Sequence, residues 1–238
     1  MFMNLAHRGA STYAPENTFA AFYLGLQMGA TGLETDIKRT RDGVLVLAHD
    51  DTTGRICDVD VSINDCTYKE LFELDLGSHK GAQYQGERIV LLEDFLKVFG
   101  ARRIFLALEL KDALVEADTA ALIQKYVPDC SMLTVTSFGF DNLARMAKVA
   151  PHLQLGYLTD NCLDEDLDKV ASIGGRQICP HAQKLTRERV AHAIERGFTV
   201  RSWGNDTVEN MMRSLQAGVH GMTVNFPDLL VRELARRD

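Results

Sequence analysis

Short apolar segments recur along the chain in the manner of β-strands that alternate with helices. Apolar runs predict strands in nine places, which are residues 3–6, 33–37, 44–48, 104–110, 132–136, 153–158, 176–179, 198–202 and 220–224. Helical spacing of apolar residues separates most of them, in residues 18–29, 92–99, 115–126, 139–149, 164–172, 186–196 and 206–217. This alternation over the whole chain predicts parallel βα units.

The dipeptide Asp42-Gly43 bears on how many of the nine predicted strands are parallel. This dipeptide is typical of a hairpin turn, and no helical pattern separates residues 33–37 from residues 44–48. If those two segments form a hairpin, eight parallel strands remain. We therefore predict an α/β fold, a (β/α)8 TIM barrel.

Residues 50–91 interrupt the alternation. They are polar, they contain Gly77, Gly81 and Gly86, and they offer only one short helical pattern, at residues 68–74. We expect a single domain over residues 1–238 with a small insertion at about 50–91.

Composition and charge limit the classes of molecule that this chain is expected to bind. The formal net charge is −7, which argues against general nucleic-acid binding, although a metal or a local cation can still attract an anionic small molecule. No apolar run approaches the length of a membrane span, so we expect no stable membrane insertion. The five cysteines lack a CxxC spacing and the first residues lack a secretory signal pattern, which predicts free thiols and a cytoplasmic location. The oligomeric state stays open.

Charged residues stand where the predicted strands end, which is the catalytic face of such a barrel. They are His7-Arg8, Glu34-x-Asp36, His49-Asp50 and Glu109-x-Lys111. Residues at i and i+2 of a strand point to one face, so Glu34 projects with Asp36, and Glu109 with Lys111.

This set of side chains suits metal-assisted phosphoryl transfer. Carboxylates without a nearby cysteine favour one hard divalent cation, Mg²⁺ or Ca²⁺, held by Glu34, Asp36 and Glu109. The imidazoles of His7 and His49 suit a general acid and a general base. Arg8 and Lys111 suit phosphate oxygens.

Each feature also has a purely structural interpretation. A histidine at a strand end is often only hydrogen bonded, and Glu109 can simply pair with Lys111. Glu34 and Asp36 can pair with Lys38 or Arg39. The segment Pro15-Glu16-Asn17-Thr18 is first of all a helix start, with Asn17 or Thr18 as the cap.

The motifs taken together resemble the glycerophosphodiester phosphodiesterase family. The resemblance rests on a series of motifs that runs in order over nearly the whole chain: His7-Arg8-Gly9, Pro15-Glu16-Asn17-Thr18, Glu34-x-Asp36, Thr40-x-Asp42-Gly43, His49-Asp50, Glu109-x-Lys111, Ser137-Phe138, Trp203-x-Asn205 and Asn225-Phe226-Pro227.

The resemblance implies a TIM barrel with an insertion after His49-Asp50, metal binding by Glu34, Asp36 and Glu109, and acid–base roles for His7 and His49. It implies that a small-molecule glycerophosphodiester is cleaved to glycerol 3-phosphate and an alcohol. By the same resemblance, Arg8 and Lys111 hold the phosphate. Trp203 forms an apolar wall for the glycerol carbons, unless it is ordinary barrel packing.

Departures from the family pattern lie in and beside the insertion and near the C-terminus, at residues 51–57, 89–92 and 224–225. They leave the headgroup open, and headgroup cleavage of lysophospholipids is an alternative. A non-catalytic barrel that binds phosphometabolites, or a structural barrel with buried ion pairs, is the alternative from another class. In the chemistry we expect, the glycerol 2-hydroxyl attacks phosphorus and a cyclic phosphate is then opened by water, while direct attack by water stays possible.

Overall fold

The computed structural model describes residues 1–237. The strands in this part of the chain are β1 (Met3–His7), β2 (Gly32–Arg39), β3 (Leu45–Leu47), β4 (Val90–Leu91), β5 (Phe105–Leu110), β6 (Leu133–Ser137), β7 (Gln154–Thr159), β8 (Gln177–Pro180), β9 (Thr199–Asn205) and β10 (Gly221–Val224). The α-helices are α1 (Phe19–Gln27), α2 (Tyr68–Phe72), α3 (Leu92–Phe99), α4 (Glu116–Tyr126), α5 (Phe140–Val149), α6 (Asp164–Ser172), α7 (Arg187–Glu195), α8 (Val208–Ala217) and α9 (Pro227–Ala235).

Eight of these strands form a closed parallel barrel. Around the barrel they follow the order β1, β2, β5, β6, β7, β8, β9 and β10, and the pairing of β10 with β1 closes the ring. Helices cover the outside, as the helical patterns predicted. The prediction of a (β/α)8 TIM barrel is confirmed.

The predicted hairpin at Asp42-Gly43 is also confirmed. Strand β3 runs antiparallel to β2, with Ile37 opposite Leu47 and Arg39 opposite Leu45. Strand β1 pairs with β2 only as far as Glu34. Beyond that point, towards the C-terminal end of β2, the same edge pairs with β3. The sequence patterns did not predict β4, which extends this antiparallel ribbon, or the last helix, α9.

The segment between β3 and β4 corresponds to the expected insertion. It contains α2, which a capping box between Thr67 and Glu70 begins, and three short 3-10 turns. Its own apolar cluster includes Ile63, Leu71 and Ile89. The segment reaches the site end of the barrel, because Lys80 Nζ donates to a carbonyl oxygen of the loop after β1 at 2.7 Å. That the chain forms one domain stays a prediction, and its boundary at Asp238 lies outside the described residues.

Two large apolar clusters fill the space between the barrel and its helices. One packs against the first half of the barrel and includes an edge-to-face pair of Phe22 and Phe95, whose ring centroids are 4.8 Å apart. The other packs against the second half of the barrel. All five cysteines are free thiols, as expected. No helix within residues 1–237 has both the length and the apolar character needed to cross a bilayer.

Candidate active site

A cavity of about 670 Å³ opens at the C-terminal ends of the barrel strands. It collects side chains that lie far apart in the sequence. Six of the eight predicted site residues line it, namely His7, Arg8, Glu34, His49, Glu109 and Trp203. The other two, Asp36 and Lys111, contact these residues directly. The structure therefore brings the whole predicted set together.

Glu34, Asp36 and Glu109 form a buried acidic cluster. Alternation along β2 turns Glu34 and Asp36 to the barrel interior, and the β2–β5 register places Asp36 beside Glu109. One carboxylate oxygen from each residue lies within 4.8 Å of the other two. The Oδ1 atom of Asp36 is buried without a hydrogen-bond partner within residues 1–237.

The protonation of the cluster reflects crowding of like charges. Burial, then the charges of Asp36 and Glu109, raise the pKa of Glu34 well above its usual range. Burial and Asp36 raise the pKa of Glu109 to about 7. Burial also acts to raise the pKa of Asp36, but the positive charges around it, led by Arg8 and including Lys111, together outweigh burial and hold this pKa below its usual range.

The acidic cluster fits a hard divalent cation. Three carboxylates of this kind, with an orphaned oxygen among them, are the ligand chemistry of Mg²⁺ or Ca²⁺. The structural alternative, pairing with Lys38 or Arg39, is wrong, because both cations are engaged elsewhere. Lys38 Nζ lies 2.5 Å from Asp51 and Arg39 Nη2 lies 2.6 Å from Asp118.

Arg8 and Lys111 border the acidic cluster. Arg8 follows directly on β1, and its Nε atom is 3.2 Å from Asp36 Oδ2. Lys111 Nζ is 3.1 Å from Glu109 Oε1, so the expected pair between these two residues does form. Gly9 completes the turn with φ near +82°, and a Cβ there would approach the carbonyl carbon of Ala21 to 2.4 Å. The glycine thus lets the end of β1 pack against α1.

His7, at the end of β1, is held in one tautomer. Its Nδ1 atom is 2.6 Å from Asn225 Oδ1, and the amide of Asn225 is oriented by donating from Nδ2 to Asp206. The amide oxygen accepts, so Nδ1 carries the proton and Nε2 is a free acceptor. Nε2 lies 3.8 Å from Glu34 Oε2. Burial and the charge of Arg8 lower the pKa of His7 to about 4.

His49 has a charged partner instead of an amide. Its Nδ1 atom lies 2.6 Å from Asp50 Oδ1, and the second oxygen of Asp50 accepts from Arg55 Nε at 2.6 Å. Partial burial acts to raise the pKa of Asp50, but the hydrogen bonds from Arg55 and His49 bring it down to about 2. The carboxylate is therefore ionised beside the imidazole.

The segment from Pro15 to Thr18 does more than begin a helix. Thr18 caps α1 by accepting from Ala21 N at 3.2 Å, as expected. Asn17, however, donates from Nδ2 to Asp36 Oδ2 at 3.1 Å. Glu16 accepts from both Arg8 and Arg55. The interpretation of this segment as mainly a helix start is too narrow.

Trp203 belongs to an aromatic wall of the cavity. Its ring meets Phe138 edge to face at a centroid distance of 4.8 Å, and His181 at 4.3 Å. Its Nε1 donates to the carbonyl oxygen of Thr159 at 3.1 Å, which fixes the indole.

Several residues that support the site could not be assigned a role there from the sequence. Glu16, Asn17, Asp50 and Asn225 all lie inside motifs that carried the family resemblance, so the motifs held the signal although the roles were not assigned. Arg55 and Arg201 had no comparable signal. Arg55 reaches the site from the insertion, and Arg201 reaches it from strand β9 on the far side of the barrel.

The fold and this site define a class, a barrel hydrolase for phosphate diesters. Residues 7–229 match the model of the glycerophosphoryl diester phosphodiesterase family, and the chain belongs to that family. The resemblance seen in the sequence is confirmed, and the chain is an enzyme of the glycerophosphodiester phosphodiesterase type.

Relatives and solved structures agree with this assignment. The chain is 31% identical to a glycerophosphodiester phosphodiesterase of Caldanaerobacter subterraneus subsp. tengcongensis over 95% of each chain. It is 32% identical to one of Bacillus altitudinis over 95% of this chain and 96% of that protein. A phosphodiesterase of Oleispira antarctica, solved with the product sn-glycerol-3-phosphate, superposes with a TM-score of 0.90 at 26% identity, covering 97% of this chain and 96% of that one. The non-catalytic alternatives therefore fall away.

Proposed function

We propose that this enzyme cleaves glycerophosphodiesters to glycerol 3-phosphate and an alcohol, with one divalent cation and two catalytic histidines. The observation that carries the proposal is the buried trio of Glu34, Asp36 and Glu109 in the same cavity as His7 and His49. The product held by the relative from Oleispira antarctica supports the same substrate class.

Glu34, Asp36 and Glu109 would hold Mg²⁺ or Ca²⁺. When bound, such a cation polarises a phosphoryl oxygen and offsets the charge that develops in the transition state. Arg8 and Lys111, which border the same carboxylates, bind the remaining phosphate oxygens. The guanidinium of Arg8 can offer two parallel N–H donors, whereas the ammonium group of Lys111 acts as a compact positive charge. Trp203 and Phe138 cover the apolar side of the substrate and exclude water.

The two histidines divide the proton transfers according to their partners. His7 presents an unprotonated Nε2, so it accepts the proton of the attacking 2-hydroxyl of glycerol as the bond from that oxygen to phosphorus forms. His49 is paired with the ionised carboxylate of Asp50, so it is the histidine that gives a proton to the alkoxide that departs. Water then opens the cyclic phosphate with the two roles reversed.

The test combines metal removal with single substitutions. Glycerophosphocholine and related diesters are incubated with Mg²⁺ or Ca²⁺, or with EDTA, and glycerol 3-phosphate is assayed. We expect release to require the cation, and His7→Ala and His49→Ala each to lower kcat by roughly 100-fold or more. His152→Ala is the matched control, because that histidine is exposed and outside the cavity.

Two outcomes would contradict the proposal. One is full turnover in EDTA, and the other is wild-type activity in either histidine variant. Trapping of a cyclic phosphate would support internal attack, whereas incorporation of labelled water in a single turnover without a cyclic species would show direct hydrolysis.

A further inference from the structure

Arg201 is a buried cation that the proposed reaction does not use. It lies on β9 with 1% of its surface exposed, and it lines the same cavity as His7. Its Nε donates to Gln177 Oε1 and its Nη1 donates to Thr223 Oγ1, both at 3.1 Å. A guanidinium has five N–H groups. Within residues 1–237 these are the bonds to oxygen that Arg201 makes, and its further partner is the thiol of Cys179, which is a weak acceptor. This wall of the cavity therefore offers N–H donors to a ligand oxygen.

Thr136 adds an unpartnered hydroxyl to the same cavity. It lies on β6, it is 1% exposed, and its Oγ1 is buried without a hydrogen-bond partner within residues 1–237. A buried hydroxyl that makes no hydrogen bond is unfavourable for folding, and valine has the same shape without that cost. A hydroxyl in this position therefore points to a partner that arrives with a ligand.

Both groups lie close to the acidic cluster. The β5–β6 register places Thr136 beside Glu109. Arg201 comes from the opposite wall, since β9 stands four strands from β5 around the barrel. It is near enough for its charge to act on Glu34, where it opposes the rise in the pKa of that carboxyl. An oxygen that meets both donors would thus belong to the substrate portion bound at the cluster.

We propose that Arg201 and Thr136 form a subsite for the free terminal hydroxyl of the glycerol moiety, and that this subsite selects deacylated glycerophosphodiesters over lysophospholipids. The inference rests on the proposed function and names its substrate class. An oxygen that accepts from Arg201 and Thr136 satisfies donors that the fold leaves unpaired. The neighbouring Leu158 and Thr223 are also buried, so an acyl chain on that hydroxyl has no outlet there.

The test removes the hydroxyl from the substrate and the donors from the enzyme. Glycerophosphocholine is compared with the analogue whose terminal CH₂OH is CH₃, and with lysophosphatidylcholine, in the presence of Mg²⁺. For the wild type we expect kcat/KM for glycerophosphocholine to exceed that for either competitor by roughly 10- to 100-fold. Thr136→Val and Arg201→Met should each remove most of the preference over the CH₃ analogue.

A matched control separates recognition from stability. Thr119, on α4, also has a buried Oγ1 without a partner in the described chain, but it does not line the cavity. Thr119→Val and Thr136→Val should both keep or raise Tm, and only Thr136→Val should change the substrate preference. If Arg201→Met does not fold, Thr136→Val decides the question alone.

The outcomes distinguish this inference from the function beneath it. Equal kcat/KM for glycerophosphocholine and the CH₃ analogue in the wild type overturns the subsite and leaves the phosphodiesterase function standing. An undiminished preference in Thr136→Val, or efficient cleavage of lysophosphatidylcholine, does the same. No turnover of any glycerophosphodiester with Mg²⁺ or Ca²⁺ overturns the proposed function and this inference with it.

Discussion

The Oδ1 atom of Asp50 lies 2.6 Å from Nδ1 of His49, so the histidine is held by the residue that follows it in the chain. The ring nitrogen that remains, Nε2, is the one available to substrate. Hydrogen bonding to an ionised carboxylate both orients an imidazole and stabilises its protonated form.

Replacement of Asp50 by Asn should therefore impair the proton transfer with little effect on folding. We expect kcat of Asp50→Asn to fall at least tenfold with a smaller change in KM, because the amide keeps the size of the carboxylate but not its charge. Steady-state kinetics on glycerophosphocholine measure this. Asp58→Asn, at an exposed carboxylate of the insertion, is the control. Unchanged kcat in Asp50→Asn would show that His49 acts without its neighbour.

Arg55 connects the insertion to two parts of the site. Its Nη1 and Nη2 donate to Glu16 at 2.6 and 2.7 Å, and its Nε donates to Asp50. Through Glu16 it supports Arg8, and through Asp50 it supports His49. One side chain of the insertion thus positions both Arg8, the proposed phosphate-binding residue, and His49, the proposed proton donor.

We expect Arg55→Met to lower kcat/KM by roughly 10- to 100-fold, through kcat and KM together. Arg55→Lys should recover only part of this, since an ammonium cannot make the fork to Glu16. Arg41→Met is the matched control, because Arg41 pairs with Glu70 away from the cavity. A kcat/KM for Arg55→Met equal to that of the control would mean that the insertion does not position the site.

The pH dependence of stability should reveal the cation site. The pKa of Glu109 is raised to about 7 in the folded chain, against roughly 4.3 in an unfolded one. Between these values the folded chain keeps a proton that the unfolded chain has released, so the free energy of unfolding of the metal-free protein falls as pH rises. A divalent cation bound at the proposed site would replace that proton.

The increase in Tm caused by Mg²⁺ or Ca²⁺ should therefore grow from about pH 5 to about pH 8. Thermal unfolding with the cation and with EDTA measures it. Glu109→Gln should abolish the increase and raise the metal-free Tm near pH 8, because the buried charge is gone. Glu165→Gln, at an exposed site, should behave like the wild type. A Tm increase that does not depend on pH, or that survives in Glu109→Gln, would contradict a site at this cluster.

The sequence predicted the barrel because each βα unit carries its own local pattern. Asp42-Gly43 also predicted the hairpin, since a turn of this kind depends on two adjacent residues. Strand β4 was missed because it is two residues long and is defined only by its pairing with β3. Local patterns cannot show such a pairing.

The same limit applies within the site. Residues at strand ends, such as Glu34 and Glu109, could be predicted to converge because the barrel brings all strand ends to one face. The contact between Glu16 and Arg55 could not, because it joins residues 39 positions apart through an irregular insertion. The proposed role of Arg201 depends on which of its N–H groups lack an oxygen acceptor, and only the folded structure shows that.

The bond that breaks in glycerophosphocholine, and its dependence on the cation and on His7, is the most direct test of the proposed reaction. Phosphorus NMR of the reaction with Mg²⁺, for the wild type and for His7→Ala, follows the phosphate products as they form. We expect glycerol 3-phosphate to accumulate with the wild type, EDTA to stop its formation, and His7→Ala to form little of it. Accumulation of phosphocholine, or of glycerol 3-phosphate at the same rate in EDTA, would contradict the proposed reaction.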